Sequence, residues 1–173
     1  MRIIGCTHDR HATSILEILN DAITHSTALY DYRPRPPESM DTWFDAKSAG
    51  GFPVIGAEDE MGRLAGFATY GTFRAWPAYK YTAEHSVYIH PSYRGKGLGC
   101  TLMTHLIERA TAQQFHTLIG VIDSGNTASI ALHEKLGFTL AGTLTEAGYK
   151  FGRWLDVRLY QLLLQTPEHP TEG

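Results

Sequence analysis

The sequence predicts an α/β fold of the α+β kind, one domain over residues 1–165 followed by a flexible tail over 166–173. Three observations carry this. Short apolar runs bounded by turn residues alternate with stretches of helical spacing, two of the runs are close enough to form a hairpin, and another pair brackets the clearest helix in the chain. No internal repeat or linker divides the sequence, and 173 residues can bury one core without disulfides or metal.

Ile3, Ile4 and Cys6 form a short opening strand. Asp9 or Thr13 is the expected cap of a helix whose Ile15, Leu16, Ile18, Leu19, Ala22 and Ile23 share one face. The run Arg33-Pro34-Arg35-Pro36-Pro37 breaks the chain into an extended loop, since proline fixes φ and donates no N–H. Glu38 and Ser39 then introduce a second helix around Trp43 and Phe44, ending near Gly50-Gly51. Val54–Ala57 and Leu64–Tyr70 read as antiparallel strands joined through Gly62, and a strand over Glu84–His90 stops at Pro91. Leu98, Leu102, Met103, Leu106, Ile107 and Ala110 keep helical spacing, and Leu118–Ile122 returns as a strand. Thr127–Leu136 suits a helix ended by Gly137, and strands over Phe138–Leu144 and Trp154–Leu163 follow. Thr166–Gly173 carries two prolines and no apolar anchor, so it is expected to fray.

Composition excludes several classes. With 43% hydrophobic and 19% charged residues the chain is an ordinary globular one, and a net charge of −3 without any basic run gives no footprint for nucleic acid. No apolar run reaches membrane-spanning length, and the opening residues lack the pattern of a secretory leader. Cys6 and Cys100 are far apart and form no CxxC pair, so both are expected as free thiols in a reducing cytoplasm. His133-Glu134 is followed by Lys135-Leu136-Gly137, which breaks the HExxH pattern, and nothing completes a site around His8 and His11. No metal is expected.

Arg94-Gly95-Lys96-Gly97-Leu98-Gly99 lies between a strand end and the start of the best-defined helix. Glycines permit close backbone approach, and free N–H groups with the helix dipole favour a phosphate there. A Walker A loop would need glycine at His90 and Ser or Thr at Gly97, and a dinucleotide GxGxxG would need glycine at Cys100 or Leu102. On these six residues alone a diphosphate loop and a glycine-rich turn capping a helix fit equally well.

The pattern Arg-x-x-Gly-x-Gly after a strand resembles the coenzyme A pyrophosphate loop of GNAT acetyltransferases. Asn126 to Phe138 is similar to the later motif of that family, in the expected order and separation. Thr82-Ala83-Glu84-His85-Ser86-Val87-Tyr88-Ile89 and Lys150-Phe151-Gly152-Arg153-Trp154-Leu155-Asp156-Val157 resemble one branch, the phosphinothricin and methionine sulfoximine or sulfone N-acetyltransferases. The resemblance implies a mixed, mostly antiparallel central sheet flanked by helices, with splayed central strands. It implies acetyl-CoA as co-substrate, no metal, a small amino-acid-like acceptor acetylated on its α-amino group, and a homodimer.

By the same resemblance, Val87, Tyr88 and Ile89 would pair with pantetheine, Arg94, Gly95, Lys96, Gly97, Leu98, Gly99 and Cys100 would hold the pyrophosphate, and Asn126 and Ser129 would contact the pantetheine arm. An acceptor amine is largely protonated at neutral pH, so a base is needed, and Glu84 is the candidate. Strand alternation puts Glu84, Ser86 and Tyr88 on one face and His85, Val87 and Ile89 on the other, so Glu84 and His85 are not expected to point into one cleft. Glu84, His85 and Ser86 belong to the acceptor strand, Arg74 would hold an anionic end, and Ala75, Trp76 and Tyr79 would wall the pocket. Trp76 stands near the place where some relatives that detoxify phosphinothricin carry a basic residue, and the loss of that charge favours a methionine-derived sulfone or sulfoximine over phosphinothricin. His133 occupies the place of a tyrosine thought to protonate the departing thiolate, and an ordinary histidine would ionise within the assay range. Two other readings are a protein or peptide N-acetyltransferase and a non-catalytic acetyl-CoA-binding regulatory module. The aromatic loop and the retention of Glu84, Arg74 and His133 argue against them.

Overall fold

The computed structural model describes residues 1–172. Seven strands form one sheet in the order β1-β2-β3-β4-β5-β7-β6. They are β1 (Arg2–Gly5), β2 (Val54–Glu58), β3 (Leu64–Thr72), β4 (Thr82–Ile89), β5 (Thr117–Asp123), β6 (Thr139–Lys150) and β7 (Arg153–Leu163). The helices are α1 (His8–His25), α2 (Ser39–Ala49), α3 (Leu98–Ala112) and α4 (Thr127–Lys135). All neighbours are antiparallel except β4 and β5.

Two clusters of buried side chains lie against the sheet. Ile15, Ile18 and Leu19 of α1 meet Met40 of α2, and Phe67 of β3 on one side. Leu102, Met103 and Leu106 of α3 meet Ala68 and Tyr70 of β3, Leu118 of β5 and Tyr160 of β7 on the other. Alternation along β4 sorts its side chains between them, with Tyr88 packed against the α1 cluster and Val87 and Ile89 against the α3 cluster.

Parallel pairing of β4 with β5 covers only Thr82 with Thr117, Ala83 with Leu118 and Glu84 with Ile119. Beyond Glu84, β4 continues to Ile89 bonded to β3 alone, and β5 continues to Asp123 bonded to β7 alone. The sheet therefore splits, leaving the edge of β4 from His85 onward open. Both strands remain paired along their outer edges, β4 with β3 and β5 with β7, on either side of this gap.

The structure moves two expected boundaries. Thr7, in extended conformation, precedes α1 in place of Asp9 or Thr13, and its N–H is donated to His11 Nδ1 at 2.9 Å. β6 runs six residues further than Leu144, interrupted by an irregularity between Leu144 and Gly148 where Glu146 takes φ +51° and its N–H reaches Asp156 Oδ1 at 2.8 Å. Most of β6 is exposed on both faces, so its sequence lacks the alternation that marks a half-buried strand. A two-residue turn with positive φ at Phe151 (+52°) and Gly152 (+73°) joins β6 to β7, matching the right-handed twist of the two strands. Beyond β7, the Thr166 hydroxyl donates to the Phe115 carbonyl at 2.6 Å and the Thr171 N–H to the Tyr81 hydroxyl at 3.0 Å.

Candidate active site

A cleft of about 1030 Å³ occupies the split between β4 and β5. The opening goes through the sheet, so the cleft is lined by Ile18, Ala22 and Ser26 from the α1 side and by Ala128, Ala131 and Leu132 from α4 on the other. This corrects one expectation. Glu84 and His85 do point to opposite faces, yet both line the cleft, because the missing strand contacts expose both faces of β4 to one space.

At one end of the cleft lies the loop before α3. Gly95 and Gly97 take φ +75° and +76°, a left-handed conformation that glycine adopts without steric cost. A Cβ built on either meets no atom within 4 Å, so the space over the loop is open. The N–H groups of Gly95, Gly97, Leu98 and Gly99 have no acceptor among the described residues, and they lie at the positive end of a 15-residue helix. This cradle fits a diphosphate. Arg94 is tied back through Nε to the Ile89 carbonyl at 3.1 Å and through Nη2 to Asp21 at 2.7 Å, which fixes the loop while leaving Arg94 on the cleft wall. Lys96 faces away, donating to the Ser92 carbonyl at 3.3 Å.

Asn126 caps α4 by accepting the Ser129 N–H at 3.1 Å, and both residues line the cleft. Val87, Tyr88 and Ile89 present the unpaired strand edge along the same wall, next to Leu98, Gly99 and Cys100.

Near the point where the sheet divides, two histidines meet. His85 and His133 stack with their Nε2 atoms 2.8 Å apart, and each is at most 5% exposed. His133 Nδ1 lies 2.6 Å from the Ser129 carbonyl. A carbonyl only accepts, so Nδ1 carries the proton, and neutral His133 then offers Nε2 as an acceptor for a proton on His85 Nε2. Both rings are held neutral. Burial together with the neighbouring imidazole pushes His85 down to about 3, and burial pushes His133 below the ordinary histidine range. Gly120 makes room for the pair, since a Cβ there would come within 2.9 Å of His133 Nε2. Burial thus draws the ionisation of His133 below the range that its motif position led one to expect. Both of its nitrogens are engaged within the chain, Nδ1 with the Ser129 carbonyl and Nε2 with His85.

Glu84 is half-buried, and its pKa is raised by burial, with the Arg74 charge pulling the other way. Arg74 is therefore within electrostatic range, although its guanidinium is exposed, stacks over Phe73 and lies outside the residues lining the cleft. Ala75, Trp76 and Tyr79 share its exposed loop and do not line the cleft either. On the α1 side the cleft wall is built instead from His25, the last residue of α1, through Tyr30, and from Phe151 and Arg153 at the tight β6–β7 turn. Sequence reasoning assigned these residues no part in the site. Phe151 and Arg153 lie inside the C-terminal signature, and the only further clue was Gly152, whose positive φ aims that turn.

The profile of the acetyltransferase (GNAT) family matches residues 14–138. The chain belongs to the GNAT family. It is 45% identical over 150 residues to the L-methionine sulfoximine/L-methionine sulfone acetyltransferase of Pseudomonas paraeruginosa, covering 87% of each chain. A solved structure from Acinetobacter baylyi superposes with a TM-score of 0.98 at 59% identity, covering 99% of this chain and 96% of that one. A phosphinothricin acetyltransferase of the GNAT superfamily from Sinorhizobium meliloti, solved in complex with AcCoA, superposes with a TM-score of 0.93 at 36% identity, covering 99% and 94%. The expected GNAT architecture, with its mixed and mostly antiparallel sheet and divided centre, is present, and the chain is an acetyltransferase.

The buried histidine pair makes stability depend on pH with a defined sign. In the unfolded chain each imidazole takes up a proton near pH 6.5, whereas the folded pair resists it, so the pair's contribution is complete above about pH 6.5 and is lost as pH falls below that value. Each histidine adds up to about 1.4 kcal/mol of lost stability per pH unit. Denaturant unfolding measured from pH 7.5 to 5 is expected to show a steeper acid loss in the wild-type protein than in a His85→Leu, His133→Leu double variant.

Proposed function

We propose that this protein transfers the acetyl group of acetyl-CoA to the α-amino group of a small amino-acid analogue of the methionine sulfone, methionine sulfoximine or phosphinothricin type. The observation that carries the reading is the open edge of β4 from Val87 to Ile89 running into the left-handed Gly95 and Gly97 loop at the start of α3. A strand edge offers N–H and C=O groups to the amide-bearing pantetheine chain, and the loop offers free N–H groups to its diphosphate. Acetyl-CoA supplies an activated thioester carbonyl at the end of that chain.

Glu84 lines the cleft on the α1 side, beside the acceptor wall, and its raised pKa makes it a stronger base than an ordinary carboxylate. It takes a proton from the acceptor ammonium, and the freed amine lone pair attacks the thioester carbon. As the tetrahedral species collapses, the C–S bond breaks and the nitrogen's second proton passes to the departing sulfur, so coenzyme A leaves as the thiol and the amide is neutral without a protein acid. His85 and His133 form a neutral, packed wall that keeps water from the reacting carbonyl. Leu29, Tyr30, Tyr88 and Phe151 suit a short apolar side chain, and Arg153 on the wall with Arg74 beyond it gives positive charge for the acceptor's anionic ends. Names of similar proteins support this acceptor class.

We read the exposed apolar side chains Leu140, Leu144, Tyr149, Trp154 and Leu163 on β6 and β7 as the surface through which two copies associate. The free thiols of Cys6 and Cys100 suit a cytoplasmic setting.

Coenzyme A release measured across methionine sulfone, methionine sulfoximine, phosphinothricin, ordinary amino acids and a peptide panel tests the acceptor class. Turnover confined to peptides would overturn it. Glu84→Gln is expected to cut kcat/KM at pH 7 by about 100-fold or more and by less at alkaline pH, where free amine is abundant without a base. A loss independent of pH would reduce Glu84 to a binder of the ammonium. Gly97→Val forces a branched side chain into a left-handed backbone at the cradle, so acetyl-CoA affinity should fall at least about tenfold while the circular dichroism spectrum is retained. Unchanged affinity would remove the diphosphate from this loop.

A further inference from the structure

Lys150 sits at the end of β6 and is 4% exposed, with no carboxylate bonded to it. Its Nζ lies 2.6 Å from the Ile23 carbonyl, 2.9 Å from that of Ser26 and 2.6 Å from that of Leu29. Three carbonyl oxygens can only accept, and a neutral amine has only two protons to give, so the group is the ammonium with every proton committed. Ile23 and Ser26 end α1, where the last carbonyls have no partners within the helix and the dipole is negative. Leu29 belongs to the loop beyond. One buried cation therefore ties the last turn of α1 and the segment after it to the β6–β7 hairpin.

Neighbouring contacts repeat the tie. A Cβ on Gly148 would fall 2.4 Å from the Tyr30 ring, so the absence of a side chain there lets Tyr30 lie on β6. The Tyr32 hydroxyl donates to the Tyr149 carbonyl at 2.9 Å, and the Thr27 hydroxyl donates to the Asp123 carboxylate. The segment held in this way, His25 to Tyr30, is the cleft wall facing Glu84's side of the sheet, and Lys150 itself does not line the cleft.

We propose that Lys150 is a positioning residue for the acceptor: its buried ammonium fixes the wall from His25 to Tyr30 and so sets the shape of the acceptor end of the cleft. The inference rests on the acetyltransferase reading above for what occupies that end. The cofactor cradle at α3 meets α1 through the Arg94–Asp21 pair, ahead of the carbonyls that Lys150 holds, and none of its own residues bonds to Lys150.

The test compares wild type, Lys150→Met and Gly148→Ala by hydrogen exchange and by steady-state kinetics with methionine sulfone as the acceptor. Lys150→Met is expected to speed amide exchange over residues 25–33 and leave α3 unchanged, to raise the acceptor KM by about tenfold or more, and to leave the acetyl-CoA KM within about twofold. Gly148→Ala keeps the ammonium but displaces Tyr30, and is expected to raise the acceptor KM alone by a smaller factor. Unchanged acceptor KM in folded Lys150→Met overturns the proposal, as does a parallel rise in both KM values, which marks a general loss of structure. Should Lys150→Met fail to fold, an unchanged acceptor KM in Gly148→Ala overturns it. If wild type acetylates no amine, the acetyl-transfer reading falls while exchange still decides the clamp: faster exchange confined to 25–33 in either folded variant supports it, and identical exchange overturns it.

Discussion

The site depends on a parallel strand pair that stops after three residues. Once β4 and β5 part beyond Glu84 and Ile119, each carries a row of backbone groups with no partner in the sheet, a state that a folded chain usually avoids. Here the unpaired row faces a cleft instead of bulk surface, and the residues with chemistry gather around it. Glu84 stands at the last paired position, His85 at the first unpaired one, and the α3 loop takes up the chain where β4 ends. The outer pairings of β4 to β3 and of β5 to β7 run on unbroken, so the opening is held by the rest of the sheet.

Much of this was legible in the sequence wherever the signal was local. The glycines before Leu98, the helical spacing through Ala110, the hairpin through Gly62 and the proline after His90 each report a conformational constraint on their own neighbours, and α3, β2, β3 and β4 fell where those constraints put them. The divided sheet itself came only through family resemblance, since nothing in the composition of β4 or β5 says where pairing ends. Illegible features were those made by partners distant in the chain. Lys150 bonds to carbonyls 121 to 127 residues away, and a lysine at a strand end reads from sequence as a surface charge. His85 and His133 are 48 residues apart, and neither position alone announces a shared proton. Arg74 and Trp76 were placed by their neighbourhood to β4, but their loop turns outward and the turn carrying Phe151 and Arg153 comes in.

Charge is distributed in the site by two different rules. The buried histidines remain neutral because burial disfavours their charged forms, and the pair adds packing and direction without a net charge. Lys150 keeps its charge in an equally dry place because three oxygens at a helix end share it. A helix C-terminus is an acceptor-rich, electronegative point, so a cation there satisfies the unpaired carbonyls and offsets part of its own desolvation cost, the rest of which shows as a pKa drawn below the ordinary lysine range.

A cleft that passes through a sheet has two mouths. One lies by α3 and α4 and the other by the end of α1. On the proposed reading, the donor and the acceptor enter by different doors and neither must leave before the other arrives. Kinetically that geometry belongs to a sequential mechanism through a ternary complex, with no acetylated enzyme between half-reactions. On the same reading the two products leave by separate exits, and the order of their departure is set by how tightly each mouth holds its own.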